Sequence, residues 1–321
     1  VEALEKILLT GATGFIGRSL GEELVKRGYI VYGMVRFSSS KKAVGEGVRP
    51  IYGDLIDRMS VEHVIRHIQP DAVIHIGALT PVALSYTMPR AYAETNYIGT
   101  INVAEAVRRY GENTRVFIYA STSEVYGQQE KFPLKEEYEP KPNTPYAVSK
   151  YAGELYLKYY MTEAYDFPLV IIRPFNTYGR ANVNQPHYVI EKIITEMLKK
   201  RDVIYLGDKD AVRDFVFRTD HVEAYIKALE RGLDGDKRIF GETFNISTGE
   251  GYTIEEVAWK IRNMIGWAGE IKWGQHHRPA DIKVLIGDNT KARKILKWKP
   301  EYNLDTGLDR AIEEWRRVIY G

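Results

Sequence analysis

Short apolar runs alternate with amphipathic stretches through the first half of the chain, and this alternation predicts an α/β fold. Residues 6–9, Ile30–Val35, Arg49–Tyr52, 72–76, Val116–Ala120 and 169–172 have the composition of buried strands. Residues 19–27, 61–67, 96–109 and 145–165 carry apolar positions at helical spacing. Strands separated by helices of this length belong to a parallel sheet, because parallel neighbours need a crossover. The second half is less regular. Loops rich in Asn, Gly, Asp and Pro at 176–186 and 234–237 alternate with helical patterns at 188–200, 220–231, Ile254–Ile265 and 308–319. Without a low-complexity linker, the two lobes are expected to interleave: 1–175 with a return at about 208–245, and mainly 176–321.

Length and charge narrow the classes. The 321 residues suffice for about two lobes with their own cores. Cysteine is absent, which excludes disulfides, thiolate nucleophiles and Cys-type zinc sites, and agrees with a cytoplasmic protein. No metal site is expected. The 45 basic and 43 acidic residues are interspersed, so no nucleic-acid partner is expected. Nor does any apolar run reach the roughly 18 residues of a membrane span.

Gly11-Ala12-Thr13-Gly14-Phe15-Ile16-Gly17 follows the first strand and precedes a helix expected from about Arg18. Glycines at such a turn let backbone N–H groups approach a pyrophosphate, with the helix N-terminus favouring its charge. The fold class is therefore Rossmann-like, a doubly wound parallel sheet with a smaller, interleaved C-terminal substrate lobe. NAD-binding sheets place an acid about 20 residues further on, to hold the ribose 2′-hydroxyl. Here Arg36 stands at that point, followed by Phe37, Ser38, Ser39 and Ser40. A guanidinium with hydroxyls suits a 2′-phosphate, so NADP is expected, with NAD as the alternative. Asp54 and Leu55, after the third strand, suit the adenine edge.

Tyr146 and Lys150 are one helical turn apart. A lysine ammonium at that spacing lowers the pKa of a phenol, readying it for proton transfer, and reaches a nicotinamide ribose. Together, Gly11-x-x-Gly14-x-x-Gly17 and Tyr146-x-x-x-Lys150 resemble the extended short-chain dehydrogenase/reductase family of nucleotide-sugar enzymes, over essentially the whole chain. Asn96 matches that family's structural asparagine. The resemblance implies a homodimer or homotetramer, the dimer built from two helices per subunit, here about 96–109 and 145–165. Tyr151, Leu155 and Tyr159 recur at i, i+4 and i+8 and suit such a bundle.

Within the family, Ser121-Thr122-Ser123-Glu124 resembles the 4,6-dehydratases, which carry an acid where epimerases carry a small or hydroxyl residue. An epimerase only moves a hydride at C4, whereas a dehydratase must also abstract the C5 proton, and a carboxylate suits that task. The resemblance is strongest to GDP-mannose 4,6-dehydratases. It assigns Thr122 to the C4 hydroxyl, Glu124 to C5, Ser123 to the departing C6 hydroxyl, and Tyr146 with Lys150 to C4 oxidation. It places Ala78 beside the cofactor, and Ser85, Asn176, Lys192, Arg213 and Arg278 around the nucleotide sugar. The competing readings are a 4-epimerase, a 4-keto reductase and a sensor without turnover.

Overall fold

The computed structural model describes residues 4–39, 44–180, 188–275 and 279–321. The first half runs β1 (Lys6–Thr10), α1 (Phe15–Lys26), β2 (Ile30–Val35), β3 (Arg49–Tyr52), α2 (Arg58–Ile68) and β4 (Ala72–His75). Two short helices, α3 (Val82–Ser85) and α4 (Pro89–Tyr92), lead through a π-helical stretch, Ala93–Ile98, into α5 (Gly99–Tyr110). Then come β5 (Val116–Ala120), a 3₁₀ turn at Ser123–Tyr126, and α6 (Pro145–Leu155). A second π-helical stretch, Tyr156–Thr162, joins α6 to the one-turn α7 (Glu163–Tyr165), and β6 (Leu169–Pro174) follows.

The second half opens with β7 (Asn176–Tyr178), α8 (Val189–Leu198), β8 (Val203–Tyr205), β9 (Val212–Arg213) and β10 (Phe215–Phe217). It continues with α9 (Arg218–Leu233), β11 (Glu242–Ile246), β12 (Tyr252–Thr253), α10 (Ile254–Ile265), β13 (Glu270–Lys272), β14 (Val284–Leu285) and α11 (Leu304–Tyr320).

Seven strands form one parallel sheet in the order β11-β6-β5-β4-β1-β2-β3. Alternation along each strand separates two apolar layers. Ile7, Leu9, Ala72, Ile74, Val116 and Ile118 face one side. Leu8, Val73, Phe117 and Tyr119 face the other, against α2 and α5 residues such as Val64 and Val103. A parallel sheet covered on both faces is the expected outcome of βαβ crossovers. The chain reverses direction between β1 and β4, the switch point where such sheets bind ligands. Late segments return to this sheet: β11 pairs with β6, and α9 packs against α1 and β5. A second core gathers Ile193, Ile194, Phe215, Val257, Leu308 and Trp315 from α8, β10, α10 and α11.

Several boundaries differ from their sequence patterns, each for a local reason. Helix α1 begins at Phe15 rather than Arg18, because Gly14 takes the N-cap position and Gly17 hides the first turn from a hydrophobic count. Helix α11 begins four residues before its apolar pattern, where Asn303 accepts the Thr306 N–H at 2.9 Å. The helix expected at 145–165 is interrupted by the π-helical stretch, which leaves Tyr151 and Leu155 one α-helical turn apart but alters the step from Leu155 to Tyr159. Leu155 and Tyr159 are nonetheless exposed.

One charged pair is enclosed at the centre of the fold. Arg173 of β6 donates to both oxygens of Glu154 on α6, at 3.0 and 2.6 Å, and both side chains are almost fully buried. The guanidinium also lies 4.8 Å from the Tyr126 ring centre. Removing one partner leaves the other charge buried without compensation. Glu154→Gln is therefore expected to cost ~3–5 kcal/mol in urea denaturation, and Glu154→Gln/Arg173→Met to recover much of it. A single variant as stable as the parent would show that the pair has little part in holding α6 to the sheet.

Candidate active site

The phosphate loop closes on itself and on the switch point. Gly11 has φ +69°, and a Cβ there would come within 2.8 Å of Gly77 just after β4. A Cβ on Gly17 would overlap the Gly11 carbonyl oxygen. Gly14 caps α1 without any side-chain hydrogen bond, and the first helical turn carries no acid. Its N–H groups thus face a cradle that only glycine backbone can form, which fits the pyrophosphate of a dinucleotide. Thr13, Phe15 and Ile16 are part-exposed along the same turn. Ala78, also part-exposed, follows Gly77, and Leu55 packs at the Cα of Gly77 and Gly99. Asp54 is partly committed to its own turn, accepting the Ile56 N–H at 3.2 Å. Arg36 and Ser38 are exposed in the turn after β2 that Ser39 closes onto the Arg36 carbonyl.

Beneath the cradle a polar relay ties β1, β4 and α5 together. Thr100 donates to the Asn96 carbonyl at 2.6 Å, so it accepts from Nε2 of His75 at 3.0 Å. Nδ1 of His75 then accepts from Thr10 at 2.7 Å, while Thr10 accepts the Gly77 N–H at 3.0 Å. Burial, with the charge of Lys150 beside it, pushes His75 down to about 3, so the imidazole is neutral. Asn96 is fully used: Oδ1 accepts the Leu79 N–H, and Nδ2 donates to the Leu79 carbonyl and to Ser149. This locks the loop after β4 onto α6.

Thr144 caps α6 by accepting the Ala147 N–H at 3.0 Å, with Pro145 in the first turn. The cap places Tyr146 and Lys150 one turn apart, both buried. Tyr146 hydrogen-bonds Thr122, and Glu124 is close enough for its charge to act on the phenol. Thr122 itself caps the 3₁₀ turn, accepting the Glu124 N–H at 3.2 Å. The turn thus folds Thr122, Ser123 and Glu124 back towards α6 at the C-terminal end of β5. Ser123 is buried, Glu124 part-exposed, and the hydroxyl of buried Ser121 has no partner among the described residues.

The expected effect of Lys150 on Tyr146 is not what dominates. Burial raises the Tyr146 pKa, and the Thr122 hydrogen bond is what opposes it. Burial also lowers Lys150 to about 7, with Glu154, one turn further along α6, pulling the other way. The amine sits 4.3 Å from the Tyr119 ring centre. Sequence spacing anticipated a permanent cation, but enclosure under the sheet removes the water that would sustain one.

The residues assigned to the sugar are dispersed. Ser85 is fully enclosed and donates to the Val82 carbonyl at 2.7 Å. Asn176 begins β7, and its buried Oδ1 has no partner among the described residues. Lys192 donates to the Tyr205 carbonyl at 2.6 Å. Arg213 is buried, reaching the Val212 carbonyl at 2.9 Å and Asp281 at 3.4 Å. Arg278, like Ser40, lies outside the described residues. Two tyrosines went unnoticed in the sequence. Tyr92 stands edge-on to Tyr146 with centroids 6.3 Å apart, and Tyr188 stacks on Phe15 at 5.9 Å while sharing a hydrogen bond with Thr80. In a chain of 23 tyrosines no local signal sets these two apart.

Among the described residues no three His, Asp or Glu side chains form a metal-binding group, and no helix is long and apolar enough to cross a membrane. The family profile described as GDP-mannose 4,6 dehydratase matches residues 8–311. The UDP-glucose 4-epimerase of Mycolicibacterium smegmatis is 30% identical over 320 residues, covering 97% of this chain and 98% of its own. Human GDP-mannose 4,6 dehydratase is 31% identical over 338 residues, covering 93% of this chain and 88% of its own. The crystal structure of the Thermus thermophilus UDP-glucose 4-epimerase in complex with NAD has a TM-score of 0.86 and 30% identity, covering 98% of this chain and 100% of that one. With its glycine cradle at the β1/β4 switch point and the Tyr146/Lys150 helix beside it, this chain belongs to the extended short-chain dehydrogenase/reductase family of nucleotide-sugar dehydratases and epimerases.

Proposed function

We propose that the chain is a nucleoside-diphosphohexose 4,6-dehydratase, with GDP-mannose its substrate. The observation that carries this reading is Glu124, set by the 3₁₀ turn two residues beyond Thr122 and near enough to Tyr146 for its charge to be felt there. C4 oxidation alone needs no carboxylate, whereas loss of the C5 proton does. The family profile and the human relative support GDP-mannose. A nicotinamide dinucleotide, seated on Gly11, Gly14 and Gly17, supplies the acceptor for the C4 hydride and its donor at C6.

The chain's own groups handle the protons. Tyr146 takes the proton of the C4 hydroxyl, oriented by Thr122, and the ammonium form of Lys150 stabilises the phenolate. Glu124 removes the C5 proton, made acidic by the C4 ketone, and later returns it. Ser123 relays the proton that Tyr146 took from the C4 hydroxyl to the departing C6 hydroxyl, which leaves as water. We propose NADP as the dinucleotide, because Arg36 and Ser38 stand exposed after β2, where an acid would otherwise engage a free ribose hydroxyl. A 4-epimerase is the second reading, favoured by the names of the Mycolicibacterium and Thermus relatives. We also propose a homodimer using the exposed Leu155 and Tyr159.

Incubation with GDP-mannose, UDP-glucose and their dTDP and CDP counterparts, followed by mass spectrometry, tests the reaction. A product lighter by one water is expected from GDP-mannose, while an isomer of unchanged mass would establish epimerisation instead. Glu124→Gln should keep C4 oxidation, seen as reduced-cofactor absorbance, and lose ~100-fold or more in dehydration. Arg36→Ala should weaken NADP about tenfold or more in fluorescence titrations and leave NAD unchanged. Equal affinity of the parent for both dinucleotides would remove the role of Arg36.

The low pKa of Lys150 carries a pH signature. Its folded value of about 7 lies below the unfolded value near ~10.4, so the buried ammonium destabilises the fold fully below pH ~7 and not at all above pH ~10.4. Lys150→Met is therefore expected to be more stable than the parent by roughly 3–5 kcal/mol near pH 6.5, the advantage shrinking as pH rises. Urea midpoints of both proteins at pH 6.5 and 9.5 measure this, and a difference that stays constant with pH would refute it.

A further inference from the structure

A cleft of 690 Å³ opens between α1, the start of α9 and α11. Arg218, Arg180 and Arg310 all line it. Arg218 is largely buried, with 15% of its side chain exposed. One of its terminal nitrogens donates to Ser19 at 2.8 Å, and the other reaches the two oxygens of Glu314 only at 3.5 and 3.4 Å. Its Nε is buried with no partner among the described residues. Arg310 uses the same Glu314, at 3.5 Å. A single carboxylate therefore serves two guanidinium groups, with long contacts to both. Burial and the positive charges of Arg180 and Arg310 hold Arg218 below the ordinary arginine pKa, while Glu314 and Glu22 oppose them.

We propose that this cleft binds a phosphate-type oxyanion between Arg218, Arg310 and Arg180. The donor set selects the ligand class. Guanidinium forks match the oxygen spacing of phosphate, and contacts as long as those to Glu314 leave both guanidinium groups able to gain from a further acceptor. A phosphoryl group brings several acceptor oxygens and about two negative charges, against a lining of eight basic and six acidic side chains. An uncharged sugar would leave the excess positive charge in place. Gly14 and Phe15 also line the cleft, so an anion there borders the phosphate loop.

Isothermal titration with inorganic phosphate at low ionic strength, on the full chain saturated with NADP or NAD, tests the site. One phosphate per chain is expected, with affinity falling at least about tenfold in Arg310→Ala, whose side chain is half exposed and replaceable without refolding the core. Glu314→Gln removes the competing carboxylate and should bind phosphate several-fold more tightly. GDP forms a second arm. An Arg310-dependent GDP affinity above that of phosphate identifies the ligand as a nucleotide phosphoryl group, and an equal or lower one identifies free phosphate. No binding, unchanged binding in Arg310→Ala, or displacement of phosphate by the dinucleotide would overturn the proposal, the last by locating the anion in the glycine cradle.

Discussion

The structure depends on how closely α6 presses its polar face against the central sheet. Tyr146, Lys150 and Glu154 lie one turn apart on that face, and all three are buried. Such a face is stable only if each group meets a partner on the strand it covers. Glu154 meets Arg173, the Lys150 carbonyl accepts the Tyr119 hydroxyl at 3.0 Å, and Ser149 is tied to Asn96. Gly153 permits the approach, since a Cβ there would overlap the Tyr119 hydroxyl. The same closeness strips Lys150 of water and lowers its pKa. Reactivity and packing are thus consequences of one helix-to-sheet distance.

A second set of contacts aligns the cofactor cradle with that helix. The neutral imidazole of His75 links Thr10 at the end of β1 to Thr100 on α5, and Asn96 at the base of α5 reaches Ser149 on α6. From Gly77 to α6 the relay consists of buried hydrogen bonds whose donors and acceptors are all accounted for. It includes no side chain long enough to bend appreciably. The glycine cradle and the helix that carries Tyr146 and Lys150 are in this way kept in fixed relation, as the preorganised catalysis proposed above requires.

Much of this was legible in the sequence, and the remainder was hidden for identifiable reasons. The strands Ile30–Val35, Arg49–Tyr52 and Val116–Ala120 and the helix Ile254–Ile265 have the bounds their patterns imply, because each is delimited by turn chemistry or a capping box such as Thr253 with Glu256. The glycine spacing and the Tyr146/Lys150 turn were likewise visible, since both are local. Arg173 and Glu154 were not paired in advance: their contact joins a strand to a helix nineteen residues earlier. Glu154 does fall four residues after Lys150, a spacing that marks the shared face. The Lys150 shift was also missed, because desolvation comes from strands whose position no helical motif reveals. In the structure Arg213 and Lys192 have backbone carbonyls as partners, contacts that no motif match reveals.

On the reading proposed above, the choice between dehydratase and epimerase in this frame rests on the turn after β5. Thr122 ends extended, at φ −161°, and caps the Ser123–Tyr126 turn with its own hydroxyl, so the following residues fold back instead of continuing away from the sheet. Gly127, at φ +59°, then reverses the chain where any Cβ would strike the Lys141 carbonyl. Between these two fixed points Glu124 is held near enough to Tyr146 for its charge to act on the phenol. The backbone required for C4 chemistry therefore already provides a place for a second acid or base. In the proposed mechanism a carboxylate there adds proton abstraction at C5 without altering the fold, in keeping with relatives of similar identity to this chain that bear the names of an epimerase and a dehydratase.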